Sequence, residues 1–208
     1  MSKTFKLYRQ MALGYTLIVG LCIGLITPIA QAEAPTDTLY PAAKTSQVVD
    51  GLTEQQRADQ IDAFFTVRGN LPLAGYGLTF VQAADKYGVD WRLVPAIAYN
   101  ESTAGLHECP GKHGTPSYNA FGYTGCNTAF SSYDVAIDTV TRDVAGQIPS
   151  TSKYFSGKSI NQIIDAYNPP SANEDYLKDV KWTMNKIATT DTSVLVATNS
   201  ASSQLAIK

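Results

Sequence analysis

The chain has 208 residues, 44% of them hydrophobic, with 12 tyrosines and 7 phenylalanines; that supports one packed domain and is too short for two large ones. Sixteen Lys and Arg against 18 Asp and Glu leave a net charge of −2, so no basic surplus exists to condense on phosphate. Nucleic acid is not an expected partner.

Lys3, Lys6 and Arg9 precede an apolar run from Met11 to Ala30, which closes on the small-residue site Ala30-Gln31-Ala32. Residues 1–32 therefore read as a signal peptide. The run also approaches the roughly 20 apolar residues that cross a bilayer, so an uncleaved N-terminal membrane anchor at residues 11–30 is the alternative. Both readings put the domain outside the cytoplasm, secreted or anchored. Those three bases are the segment's only charged residues, so cleavage would leave a net charge of about −5. Residues 33–50, rich in Pro, Thr, Ala and Ser without an apolar period, read as a flexible linker, and residues 189–208 as a flexible tail. The folded domain is expected over 51–188, with no internal repeat.

Within it the helical period dominates. Thr53 with Gln56 forms a capping-box pattern ahead of Ala58, Ile61, Phe64 and Phe65. Phe80, Val81, Ala84 and Tyr87 mark a second helix stopped by Gly88, and Asp90 offers an N-cap for a third running from Trp91 to about Ser102, its start bent by Pro95. Ser131 or Ser132 opens a fourth carrying Val135, Ala136, Ile137, Val140 and Val144. Ser159 with Gln162 caps a short fifth ended by Pro169-Pro170. The sixth carries Glu174 and Asp175 in its first turn and an inner stripe of Tyr176, Leu177, Val180, Met184 and Ile187. The fold class is mainly α. Gly105 to Phe130, rich in Gly, Pro and Asn, is a long irregular loop with room for a short β-hairpin, and loops of that length inside a domain usually serve function.

One residue breaks the pattern. Leu93, Val94, Ile97 and Ala98 make the apolar face of the third helix, and steps of eight, seven and four from Leu93, Val94 and Ile97 land on Glu101. A carboxyl pointing inward is costly when ionised, so it tends to keep its proton, as the general acid of glycoside cleavage must. The alternative is a helix-end Glu that turns outward as the helix frays into Thr103-Ala104-Gly105.

With Cys22 lost in the signal, Cys109 and Cys126 are a pair flanking the long loop, and a disulfide is the plain reading in an exported chain. By loop entropy it contributes about 3 kcal/mol. A zinc site from His107, Cys109, His113 and Cys126 competes, but its spacing departs from common paired-ligand patterns. No metal or cofactor is expected.

Tyr87-Gly88-Val89-Asp90, Leu93-Val94-Pro95-Ala96-Ile97-Ala98 and Glu101-Ser102 resemble the catalytic helix of the lysozyme-like superfamily, in particular of soluble lytic transglycosylases. Asn119-Ala120-Phe121-Gly122-Tyr123 and the stretch Phe130 to Ile137 resemble segments of autolysin-type endo-β-N-acetylglucosaminidases. Ala166-Tyr167-Asn168-Pro169-Pro170 is similar to the Ala-Tyr-Asn-Ala-Gly segment of transglycosylases. All lie in the order of those families, across residues 76 to 187. The resemblance implies a lysozyme-like α domain acting on peptidoglycan or a related N-acetylglucosamine-containing glycan. It makes Glu101 the general acid, Ser102 the residue that helps place it, and Tyr167 its neighbour across the cleft, with Asn168 beside. Asn119, Phe121 and Tyr123 would line the sugar groove, although Phe121 suits the core equally and Asn119 suits a turn. The sequence departs from the transglycosylases where Phe121-Gly122-Tyr123 replaces Gly-Leu-Met-Gln, and at Pro169-Pro170. A second carboxylate has no motif behind it, Glu108 and Asp165 being the candidates, which points to a substrate-assisted, lytic-transglycosylase outcome with a 1,6-anhydro end. The competing reading is a surface-anchored module of the same fold that binds glycan or a partner without cleaving it.

Overall fold

Helix starts and stops written in the sequence set the architecture. The computed structural model describes residues 49–111 and 114–196. Among these, seven α-helices run in order: α1 Glu54–Thr66, α2 Gly77–Tyr87, α3 Leu93–Ser102, α4 Tyr133–Val144, α5 Ser152–Phe155, α6 Ile160–Tyr167 and α7 Tyr176–Ala188. The predicted signal or anchor lies outside the described residues, as do residues 33–48 of the linker and 197–208 of the tail. No helix among the described residues is long and apolar enough to cross a membrane.

The polar caps act where the sequence puts them. Thr53 Oγ1 accepts from the Gln56 N–H while Gln56 Oε1 accepts from the Thr53 N–H, and Ser159 and Gln162 repeat this reciprocal bonding at α6. Ser132 caps α4 through the Val135 N–H, and Gly88 closes α2 in the left-handed region. Three expectations are corrected. The third helix begins at Leu93, because Asp90 accepts from the backbone N–H of Arg92 and clamps its guanidinium at 2.8 and 2.6 Å instead of capping a helix at Trp91. Pro95 then falls in the first turn of α3, where its missing N–H has no helical partner to lose. Glu174 and Asp175 precede α7 rather than filling its first turn, which holds Asp179.

Helix α3 is the axis of the core. Its residues Leu93 to Ala98 are all buried, enclosed by α7 and α4, while α1 packs on α2 and α7, and α2 on α4. A chain of rings, Phe64 to Phe65 to Phe80 to Phe121, with centroids 5.6, 6.3 and 6.5 Å apart, carries the core from α1 through α2 to the long loop. Between α1 and α2 the fully buried Arg57 makes two parallel hydrogen bonds, 2.7 and 2.8 Å, to the Asp85 carboxylate. The loop contains no strand among the described residues. Its backbone meets at isolated points, Cys109 N–H to Asn119 O and Phe130 N–H to Ser117 O, so the hairpin is not present as a ladder. A short 3₁₀ turn occupies Tyr123–Cys126.

Candidate active site

Glu101 stands on the last turn of α3, half-buried, and its Oε1 accepts a 2.6 Å hydrogen bond from the Tyr176 hydroxyl on the first turn of α7. Burial pushes the Glu101 carboxyl above the ordinary carboxylate range, and the Tyr176 bond, which favours the charged form, only partly opposes this. No cation faces it among the described residues. The other oxygen, Oε2, lies against Gly122. A Cβ there would sit 2.5 Å from it, and Gly122 has φ +60°, so both space and backbone require glycine.

The helix end does not fray. Thr103, Ala104 and Gly105 take left-handed conformations in succession, with φ of 54°, 52° and 92°. Such conformations cost a residue bearing Cβ about 1 kcal/mol or more each, so the surroundings must hold them. The Thr103 and Ala104 N–H groups return to Tyr99 O and Ala98 O, and the Ser102 hydroxyl donates to Ala120 O at 2.7 Å while accepting from the Gly105 N–H. This buried hydroxyl welds the end of α3 to the long loop and leaves Glu101 facing inward. Ser102 therefore positions its neighbour and does not offer its side chain to a ligand, correcting its place among substrate-binding residues.

The loop residues divide. Asn119 is fully buried: its amide donates to Tyr123 O and Thr128 O and accepts from the N–H groups of Phe121 and Tyr123, so it organises the loop from within. Phe121 is also fully buried, its ring against Phe80. Neither side chain lines a groove, because each is enclosed by the structure it holds. Tyr123 is half-buried and donates at 3.0 Å to Asp143 on α4. Burial, then the Asp143 charge, pushes its phenol up to about 12. Tyr167 is half-buried at the end of α6, and its hydroxyl donates to Phe121 O at 2.6 Å. Its phenol is held well above the ordinary value, by burial first and then by the negative field of Glu101. Asn168 follows as the C-cap of α6, half-buried.

Of the two carboxylate candidates, Glu108 accepts from the Ser117 N–H and the Tyr133 hydroxyl and braces the loop, while Asp165 is half-buried on α6. Two functional candidates were not singled out from sequence. Tyr176 counted only as one member of an apolar stripe. Asp143, buried and accepting from Tyr123 and Thr151, follows Ala136 and Val140 at helical spacing, the same signal that marks Glu101. The sulfurs of Cys109 and Cys126 lie 2.00 Å apart, at disulfide distance. Among the described residues no three His, Cys, Asp or Glu side chains are grouped to hold a metal ion; His113 lies outside them.

The candidate site thus belongs to a mainly α-helical domain and sets a half-buried carboxyl between a hydroxyl donor and a glycine. No family model, curated protein or solved structure matches the chain.

Proposed function

We propose that the chain is an exported enzyme that cleaves the glycan strands of peptidoglycan, with Glu101 as the acid. The observation that carries this is the state of that carboxyl: half-buried, facing no cation among the described residues, anchored through Oε1 and with Oε2 beside Gly122. A carboxylic acid that keeps its proton near neutral pH can protonate the leaving glycosidic oxygen, and the anchor at Oε1 leaves Oε2 to carry that proton. The ordered motif resemblance supports a lysozyme-like fold, and the paired cysteines suit an oxidising compartment.

Glu108 braces the loop, so the reading assigns the oxocarbenium-like centre to the substrate, through its N-acetyl oxygen or its own hydroxyl. Glu101, having given its proton, then acts as base, and closure by the substrate hydroxyl leaves a 1,6-anhydro end. Mass spectrometry of muropeptides released from purified sacculi tests this. Anhydro products are expected from the wild type, falling by at least about a hundredfold in Glu101→Gln, which keeps the volume and has no proton to give. A reducing end that takes oxygen from labelled water would point to hydrolysis. Sacculi that retain the protein and release nothing would instead select the competing reading, a module that binds glycan without cutting it.

A further inference from the structure

Outside the Glu101 site lies a cluster of aromatic rings that the proposed reaction does not use. The Tyr133 ring is met edge to face by Tyr76 at 5.5 Å and by Tyr118 at 5.2 Å, with interplanar angles of 78° and 86°. All three tyrosines are half-buried, each keeping part of its surface in solvent. Tyr76 and Tyr133 rest on the hydrophobic core, whereas Tyr118 is outside it. Tyr118 nonetheless takes φ 50°, a conformation that disfavours a bulky side chain, and places its ring against Tyr133 rather than against the core.

We propose that Tyr76, Tyr118 and Tyr133 form a platform for a neutral glycan chain of β-linked N-acetylhexosamines. This rests on the glycan-cleaving reading and adds to it a binding surface away from the reacting bond. Aromatic rings present apolar faces to the C–H faces of pyranoses, and phenol hydroxyls exchange hydrogen bonds with sugar hydroxyls. The charges nearby are acidic: Glu108 accepts from the Tyr133 hydroxyl at 2.8 Å, and Asp134 sits near enough to act on Tyr76. Such surroundings disfavour a polyanion and suit a neutral polyhydroxylated ligand whose hydroxyls donate to carboxylates. The chain links platform and acid at two points. Tyr118 is four residues before Gly122, which faces Glu101 Oε2, and the Tyr133 hydroxyl sits over Gly105, where a Cβ would lie 3.0 Å from it. Gly105 follows Glu101 by four residues.

The test uses the full chain with Glu101→Gln, so that ligand is not consumed, and chitohexaose as probe in titration calorimetry. Adding Tyr118→Gly should weaken binding about five- to tenfold through loss of one stacking ring. The melting temperature should hold, because glycine suits φ 50°. Tyr118→Phe should keep the affinity. Unchanged affinity in Tyr118→Gly, or no chitohexaose binding at all, overturns the platform; so does a fall in melting temperature with affinity intact, which would make the ring structural. Tyr118-dependent binding by a wild type that releases no muropeptides would keep the platform and remove the cleavage reading. Cleavage lost in Glu101→Gln with Tyr118-independent binding would do the reverse.

Discussion

Two acids are set into helix–helix contacts of this protein, and they are treated in opposite ways. Between α1 and α2, Asp85 receives a bidentate guanidinium from the fully buried Arg57, so each charge is neutralised where it lies. Between α3 and α7, Glu101 receives a single hydroxyl from Tyr176 and no cation among the described residues. The first arrangement pairs opposite charges through two hydrogen bonds. The second leaves the proton as the remaining way to neutralise the acid, and a proton can be given away. The two carboxyls are thus set apart by the partner supplied, not by depth of burial.

The largest effect that separates the two sites is expected from Asp85→Ala. It removes the bidentate carboxylate from the buried Arg57 and should cost about 3–5 kcal/mol in urea unfolding, whereas loss of the Glu101 charge should not destabilise. A cost under about 1 kcal/mol would mean that Arg57 relocates and that the contrast fails. Next comes Gly122→Ala, which meets Oε2 and forces a left-handed alanine; about 1–3 kcal/mol of stability should go, together with most glycan release. Retained release would show that Oε2 does not depend on that space.

Tyr176→Phe sharpens the comparison at smaller cost, about 1 kcal/mol. It removes the bond that favours the charged carboxylate, so the Glu101 pKa should rise further. The alkaline limb of the pH–rate profile, where the acid must be protonated, should then move to higher pH. An unmoved limb would place the acid elsewhere. The smallest effect is on stability against pH in Glu101→Gln. A pKa raised in the folded state means that the fold holds this proton where the unfolded chain has released it. The contribution is therefore complete below the unfolded value and is lost as pH rises through the folded one. Denaturation at about pH 4 and about pH 7 should show the Gln variant gaining on the wild type at the higher pH. The opposite trend would mean a Glu101 stabilised in its charged form.

What the sequence shows of this depends on the range of each signal. Thr53 with Gln56 and Ser159 with Gln162 mark helix starts within three residues, and both capping boxes form. The inward direction of Glu101 follows from steps of four, seven and eight on one helix. Helix α5 is a single turn, too short for any period. The Tyr176 hydroxyl reaches Glu101 across 75 residues, and nothing in an apolar stripe says that one member ends in a donor. Asn119 and Phe121 show the limit most plainly: in a loop without a period, a motif places residues near a site and does not say which side chains face in.

The inward bonding of Asn119 also bears on how this molecule can diverge. Its amide satisfies two carbonyls and two N–H groups of its own loop, so the shape of that loop is specified from beneath. Ala129, exposed on its outer side, is thereby released from the task of holding it, whereas Thr124 and Asn127 share that task through bonds to the Thr128 hydroxyl and the Thr124 carbonyl. Replacements should accumulate at position 129 without loss of folding while position 119 stays fixed, a split that saturation mutagenesis scored by soluble yield would reveal. The outer surface of the loop can then change on an unaltered frame.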